Sequence, residues 1–540
     1  MKKPAKKTSS QKNQPASSGF IKKAVQNLPI ILIILMPAAL FLSYHPIITL
    51  GANSAMNFEL NIAEIWLCLF FLASLPFAKK LFSFYGWKKL ALAAIIPLYF
   101  TLSIIWSTNR LRTLLTAGIF WLIVFAALNL IYWLKTKNTK SFCIREKLVK
   151  SLLITSAVVS LFCWVQCFLD LAGVSREYTL LCQGCVSSKF GFPHPNGFAI
   201  EPQFMGNLLI APVLLCFYLV ASPKMKNLFD KPAKKLCLIL LTIFLTTTLF
   251  LTFSRGAIYA FSIAFIAEII LIIIQNRAAS KKIIAAFAIV IVSFAVSLTA
   301  QGLFAAASST TDTFYSGISK SIHQLSLGKI DFRPAETKNE ETKNDISVSE
   351  NQQENFSSTD NETKQGNSSK TEKETQQGNS DTAETSQFTG YVPESTEKRL
   401  SLNQIAIDTW RADPGYMFIG TGLGGAGVAM NQAFPDELGP KEIVQNEYVS
   451  LLLETGLVGY AVILAVVTIT VVTIYRSRSK IFCSIKSPNY CCLFPLFAST
   501  ILAFAFTLSF FSGLPNAIHI YLFPIIFIGL SSAKNNTVIK

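Results

Sequence analysis

The stretch LCLILLTIFLTTTLFLTFSRGAIYAFSIAFIAEIILIII, residues 236–274, decides how this chain folds. As one element it is an apolar helix far longer than the ~20 residues that cross a bilayer, with one Arg near its middle. Split at Ser254-Arg255-Gly256 it is two spans, 236–253 and 257–274, joined by a tight turn. The turn sets Arg255 at a membrane surface, where a guanidinium reaches water or a phosphate without the cost of central burial. The pattern on either side selects the split. Apolar runs also cover 28–48, 60–78, 90–107, 114–134, 151–172, 198–221, 283–303, 447–475, 491–512 and 517–532, which makes about twelve. Clusters of Lys and Arg fill the gaps 2–23, 79–89, 135–150, 224–235, 277–282 and 476–486, and recur at Lys534. Only a chain that turns at Arg255 keeps all of these on one side, as the positive-inside rule requires.

The reading is therefore an all-α integral membrane protein of about 12 transmembrane helices, with both termini cytoplasmic and a large extracytoplasmic loop between spans 9 and 10. Composition agrees: 51% of residues are hydrophobic and 15% charged, and mean hydropathy is +0.44, which needs a lipid cover. The net charge of +17 sits beside apolar ends and so marks orientation; no nucleic acid is expected as a partner. The first apolar run is of spanning length and lacks a cleavage pattern, which reads as a retained helix. A basic cytoplasmic tail (1–27) precedes spans 1 to 9 (28–303). The external loop opens at 304–333, runs through a tract of Glu, Thr, Asn, Ser, Gln and Lys at 334–387 that is too polar to fold, and regains apolar residues at 388–444. Spans 10 to 12 (445–533) and a short cytoplasmic tail (534–540) follow. Within 388–444, Leu400, Ile405, Ile407 and Trp410 read as the apolar face of a short helix ahead of a Gly-rich turn.

Four clusters of polar residues fall at the outer ends of spans, where an ionisable side chain near lipid is costly and tends to have a task. FGFPHPNGFAIEPQFMG (190–206) carries His194, Asn196, Glu201 and Gln203. Its prolines make it irregular, a backbone tolerated at membrane depth only beside protein or a wet cavity. His194 could equally cap a loop, and Glu201 could serve the positive end of a helix. TFSRGA (252–257) offers the planar donors of Arg255, with Gly256 allowing close backbone approach; the plainer reading is an Arg snorkelling to the interface. STEKRLSLNQIAIDTW (395–410) places Arg399 on a helix before IGTGLGGAG (419–427). These glycines lack the Lys and Ser/Thr of a phosphate loop and read as a flexible turn. VQNEYVSLLLETGLVG (444–459) sets Glu447, Leu451 and Glu454 on one helical face, which suits a cavity better than lipid. Cys182 and Cys185, in an external loop, suit a disulfide, with free thiols, redox chemistry or metal binding as alternatives. No His, Cys and Asp set has metal-ligand spacing, so neither metal nor cofactor is expected.

These clusters, in this order, resemble the O-antigen ligase and O-antigen polymerase superfamily, most strongly from Phe190 to Gly459. The matching pieces are Pro193 to Asn196, Ser254 to Ala257, the Arg399-to-Trp410 helix leading into Gly420-Thr-Gly-Leu-Gly, and the helix from Asn446 to Gly459. The resemblance implies a cytoplasmic (inner) membrane enzyme of polysaccharide biosynthesis. It would transfer a glycan from an undecaprenyl-diphosphate-linked donor to a glycan or lipid acceptor without a metal, among membrane lipids. Arg255 and Arg399 would hold the diphosphate, with Asn196, Gln445, Asn446 and Glu454 as substrate-binding candidates. One position departs: ligases of this family typically carry His where this chain has Gln445, and Gln cannot take a proton at neutral pH. The base would then be Glu201, His194 or Glu447, with Glu201 favoured. The rival readings are a transporter or lipid-linked-glycan flippase, which would hold its polar residues near the bilayer midplane, and a non-catalytic family member. A cavity joining Arg255, Arg399 and Glu201 at the outer helix ends would favour transfer.

Overall fold

The structure, a computed structural model, describes residues 16–42, 48–50, 58–136, 144–182, 184–221, 232–275, 280–308, 313–327, 329–330, 386–435, 438, 444–477, 493–510 and 517–531. The polar tract expected at 334–387 lies outside them except for its last two residues. The architecture is a helical bundle. α1 (Ala16–Phe41) leads to a two-stranded ribbon, β1 (Ile48–Leu50) and β2 (Phe58–Leu60), in which Thr49 pairs with Glu59. α1 ends before the expected limit at Ile48, which belongs to the ribbon. Then come α2 (Ile62–Ser74), α3 (Ala78–Tyr85), α4 (Trp87–Leu102), α5 (Arg110–Thr136), α6 (Ile144–Leu171), the short α7 (Arg176–Thr179) and α8 (Ser187–Phe190), α9 (Pro202–Ala221), α10 (Pro232–Leu251), α11 (Arg255–Gln275), α12 (Ser280–Ser308) and α13 (Phe314–Leu325). The loop half after 386 forms α14 (Ser386–Ala412), α15 (Pro414–Ile419) and α16 (Ala426–Ala433). α17 (Glu447–Arg476), α18 (Phe494–Thr507) and α19 (Ile518–Ser531) close the bundle.

Nine helical stretches among the described residues are long and apolar enough to cross a membrane, and three shorter apolar helices, Asn27–Phe41, Phe494–Thr507 and Ile518–Ser531, occupy the places of the other expected spans. α10 and α11 are separate helices, so the opening stretch turns at residues 252–254. The outer surface carries the side chains lipid would cover: Ile154, Leu161, Ile274, Ile284 and Ile291 are all exposed.

α9 is the axis of the bundle. Every residue from Met205 to Leu219 is buried, as expected of a helix apolar on all sides, and α10, α11 and α18 pack around it. Some hydroxyls inside the spans bond to their own helices, as Thr242 donates to Leu238 O at 2.7 Å and Thr246 to Thr242 O at 2.7 Å, which offsets the cost of burying them. α17 departs from the single span expected. Gly456, at φ 61° and ψ −176°, breaks it into a leading helix through Thr455 and a longer one beyond.

The helix ends that the charge pattern assigned to one face meet in space. Thr108 N donates to Thr421 O (3.0 Å) and Glu447 N to Leu508 O (2.9 Å), and Gln203 Nε2 donates to Phe510 O (2.9 Å). These bonds tie the α4–α5 junction, the start of α9, the loop domain, the start of α17 and the end of α18 together at one end of the bundle.

Candidate active site at the helix ends

The turn that carries Arg255 is built from its own residues. Thr252 Oγ1 donates to Leu249 O (2.8 Å) as α10 ends, and Phe253 adopts the left-handed region at φ 56°, which costs a non-glycine residue about 1–3 kcal/mol. Packing holds it there. The buried Phe253 ring stacks on His194 at 5.5 Å and meets Phe192 edge-on at 5.6 Å. Ser254 Oγ accepts weakly from Ala257 N (3.4 Å), and Arg255 is the first residue of α11. Its guanidinium thus adds to the positive end of a long helix, a combination that favours an anion. The tightest contact between helices here is at another glycine than Gly256, which lines the cavity. A Cβ on Gly256 would meet Phe510 Cβ at an ordinary 3.7 Å, whereas one on Gly206 of α9 would lie 2.7 Å from Ala257 Cβ. Gly206 lets α9 and the start of α11 touch.

Opposite this turn the irregular segment 191–200 is held by buried amides. Gln166 of α6 donates to Thr179 O (2.9 Å) and Gly197 O (3.0 Å) and accepts from Gly197 N (2.8 Å). Asn196, fully buried, donates to Leu180 O (3.2 Å) and to Ala199 O. Its amide serves the loop. His194 N donates to Cys185 O (2.9 Å), and Cys182 and Cys185 are joined by a disulfide with Cα atoms 5.1 Å apart. Burial pushes the His194 imidazole down to about 3, so it is neutral at physiological pH and a weak base.

Between these walls lies a cavity of about 300 Å³. Arg255, Arg399, Glu201 and His194 all line it, together with the disulfide, Gln203 and Gln324. Glu201 is exposed to it at the head of α9, its carbonyl accepting from Phe204 N (3.1 Å). Arg399, half-buried, comes from α14, which is a 27-residue helix rather than a short one. The apolar face of α14 also differs from the expected set. Leu400 is 64% exposed, while Leu402, Ile405 and Ala406 are buried, and Ile405 and Ala406 pack with Trp410 against Met430, Val444 and Leu453. Spacings of three and four put Arg399 on the same face as Leu402 and Ala406, so the packing that seats α14 also carries Arg399 over the cavity.

The Gly-rich segment is packed rather than flexible. Gly420, Gly422 and Gly424 have φ near 80°, and a Cβ on Gly420 would lie 2.3 Å from Glu454 O. The carbonyls released by the break at Gly456 are taken up here: Thr421 N donates to Leu453 O (3.0 Å), Gly422 N to Glu454 O (3.0 Å) and Tyr99 Oη to Thr455 O (2.7 Å). The Glu454 carboxyl lies against the backbone N–H groups of Gly424 and Ala426, at the start of α16, with Arg112 nearby. Asn446 caps α17, accepting from Tyr448 N (3.0 Å), and Glu447 is buried behind it. Gln445, Asn446, Glu447, Glu454 and Asn196 therefore stand outside the cavity, in the frame around it. Gln324, at the end of α13 in a stretch read only as the start of a loop, was not legible as a site residue.

No curated protein matches the chain. Residues 240–464 match the family model described as O-antigen ligase, a region that takes in Arg255, Gln324, Arg399, the packed glycines and the broken start of α17, and leaves Glu201, His194 and the disulfide outside it. The apolar helices and the O-antigen ligase match over residues 240–464 support the resemblance to the O-antigen ligase and polymerase superfamily.

Proposed function

We propose that the protein transfers a glycan from an undecaprenyl-diphosphate-linked donor to a glycan or lipid acceptor at the outer face of the cytoplasmic membrane, with the cavity at the helix ends as its active site. The observation that carries this reading is one cavity lined by Arg255, Arg399 and Glu201. The acceptor hydroxyl attacks the anomeric carbon of the donor sugar and its proton passes to the Glu201 carboxylate. The bond from that carbon to the diphosphate oxygen breaks, and the electron pair leaves on the diphosphate. Charge grows on the leaving group, where the guanidinium donors of Arg255 and Arg399 and the positive end of α11 stabilise it, in place of a metal ion. Glu201 is the base because the alternatives fit less well: His194 lines the cavity but burial leaves its imidazole a weak base, and Glu447 is buried outside the cavity. With Gln445 in place of the usual His, the proton acceptor has moved from the start of α17 to the start of α9.

The placement of Arg255 at a span end and of Arg399 on the loop helix α14 supports transfer over transport, since a flippase would hold such groups where the substrate crosses. Both termini are then cytoplasmic. Cells with and without the protein, compared for glycan chain length and lipid-linked intermediates, test the proposal. Loss of the protein leaves single lipid-linked repeat units if it polymerises and long lipid-linked chains if it ligates. Unchanged intermediates would refute transfer.

A further inference from the structure

Gln324 has no part in the chemistry above, yet its surroundings ask for a ligand. It is 5% exposed and lines the cavity, and among the described residues its Nε2 donates to nothing. A buried donor left unmet is costly, so a side chain like this in a cavity wall calls for an acceptor from outside the fold. Its position is well fixed. α13 packs tightly on α12: a Cβ on Gly317 would lie 2.6 Å from Ala305 Cβ, and one on Gly302 would lie 2.8 Å from the Phe314 ring. The carbonyl of the next residue, Leu325, accepts from Tyr259 Oη. Tyr259 is four residues along α11 from Arg255, hence on the same face, so this bond holds the end of α13 over the first turn of α11.

We propose that Gln324 is a neutral donor of the anion site, its Nε2–H group bonding a non-bridging oxygen of the diphosphate that Arg255 and Arg399 receive. This rests on the glycan-transfer reading. Two guanidiniums supply the charge; a carboxamide adds direction without further cation repulsion in the empty cavity. The end of α13 becomes part of the donor site.

The test is binding of farnesyl diphosphate, which has no sugar, to the purified full chain in nanodiscs. Gln324→Met keeps the volume and removes the donor, and its Kd should rise about tenfold, the size of one hydrogen bond to a charged acceptor. Gln324→Lys restores a donor and should bind at least as tightly as wild type, with a steeper salt dependence. Wild-type affinity in Gln324→Met overturns the proposal, as does a loss confined to the glycan-bearing donor, or a Gln324→Lys protein that binds no better than Gln324→Met. Should Gln324→Met fail to fold, Gln324→Lys decides alone: weakened binding overturns the proposal and retained binding with steeper salt dependence supports it. Arg255→Ala separates this from the larger reading. If Arg255→Ala weakens binding and Gln324→Met does not, only the role of Gln324 falls; if neither does, the cavity is not a diphosphate site.

Discussion

Gly420→Ala should uncouple the loop domain from the bundle. At φ 78° the new side chain is in the left-handed region, and its Cβ would stand 2.3 Å from Glu454 O and 2.5 Å from Thr455 N. Both neighbours are backbone, so no rotamer change relieves the contact. Left-handed strain costs about 1–3 kcal/mol. Moving the segment away breaks the bonds from Thr421 N to Leu453 O and from Gly422 N to Glu454 O, each worth about 1 kcal/mol net. Together these come to about 3–5 kcal/mol, enough to separate the glycine segment from the break in α17. Because α14 packs on both α15 and α17, Arg399 should lose its seat. Thermal unfolding and glycan transfer by the purified protein measure both effects: a clear fall in Tm and a large loss of transfer. Gly118→Ala is the control, since a Cβ there meets nothing within 4 Å and Ala is the better helix former. Gly420→Ala matching Gly118→Ala in Tm and transfer would refute the reasoning.

Glu201→Gln should lose transfer by about a hundredfold or more, as expected for removing a general base, while farnesyl diphosphate binding is kept; transfer at wild-type rate would move the base elsewhere. His194 gives a stability signature. Its folded-state value of about 3 lies below the ordinary 6.5, so the unfolded chain binds the proton first, and this contribution to stability is present above about pH 6.5 and drains away as pH falls towards 3. Tm measured at pH 7.5 and 4.5 should therefore fall less in His194→Gln than in wild type, and an equal fall in both would show that His194 is not buried neutral. Gly206→Val should disturb the Arg255 turn, since even a Cβ meets Ala257 at 2.7 Å; loss of farnesyl diphosphate binding is the expected result, and normal binding the contrary one. Deleting residues 334–385, which stops short of α14, should leave transfer intact.

The spans were legible because two independent signals, apolar length and the side on which Lys and Arg fall, agree only when the chain turns at Arg255. Arg255 and Glu201 were legible as charged groups at span ends, where lipid makes an idle charge costly, and Arg399 as the charge on the loop helix ahead of the glycines. The break at Gly456 was not. Leu457, Val458 and the residues beyond continue an apolar run, and glycine is ordinary in membrane helices; what forces the break is the backbone of the distant Gly420 segment lying against it. The same contact explains why those glycines look like a flexible turn in sequence and are packed in the fold. Glu454 reads in sequence as one of two carboxylates on a helical face, and its carboxyl lies at the start of α16, an element close only in space. On α14, the choice of Leu400 and Ile407 for the apolar face passed over Leu402 and Ala406, which share the buried face with Ile405. Gln324 carried no signal in sequence, since its significance is an unmet donor in the wall of the cavity that Arg255 also lines.

The central claim is that the arginines over this cavity hold the diphosphate of a lipid-linked donor while its glycan leaves. Release of undecaprenyl diphosphate in proteoliposomes holding the purified protein, the glycan-bearing donor and an acceptor tests it most directly. Wild type should release one equivalent per glycan transferred, and Arg255→Ala and Arg399→Ala should each lower that rate about a hundredfold or more. Release at the wild-type rate in both variants would contradict the claim.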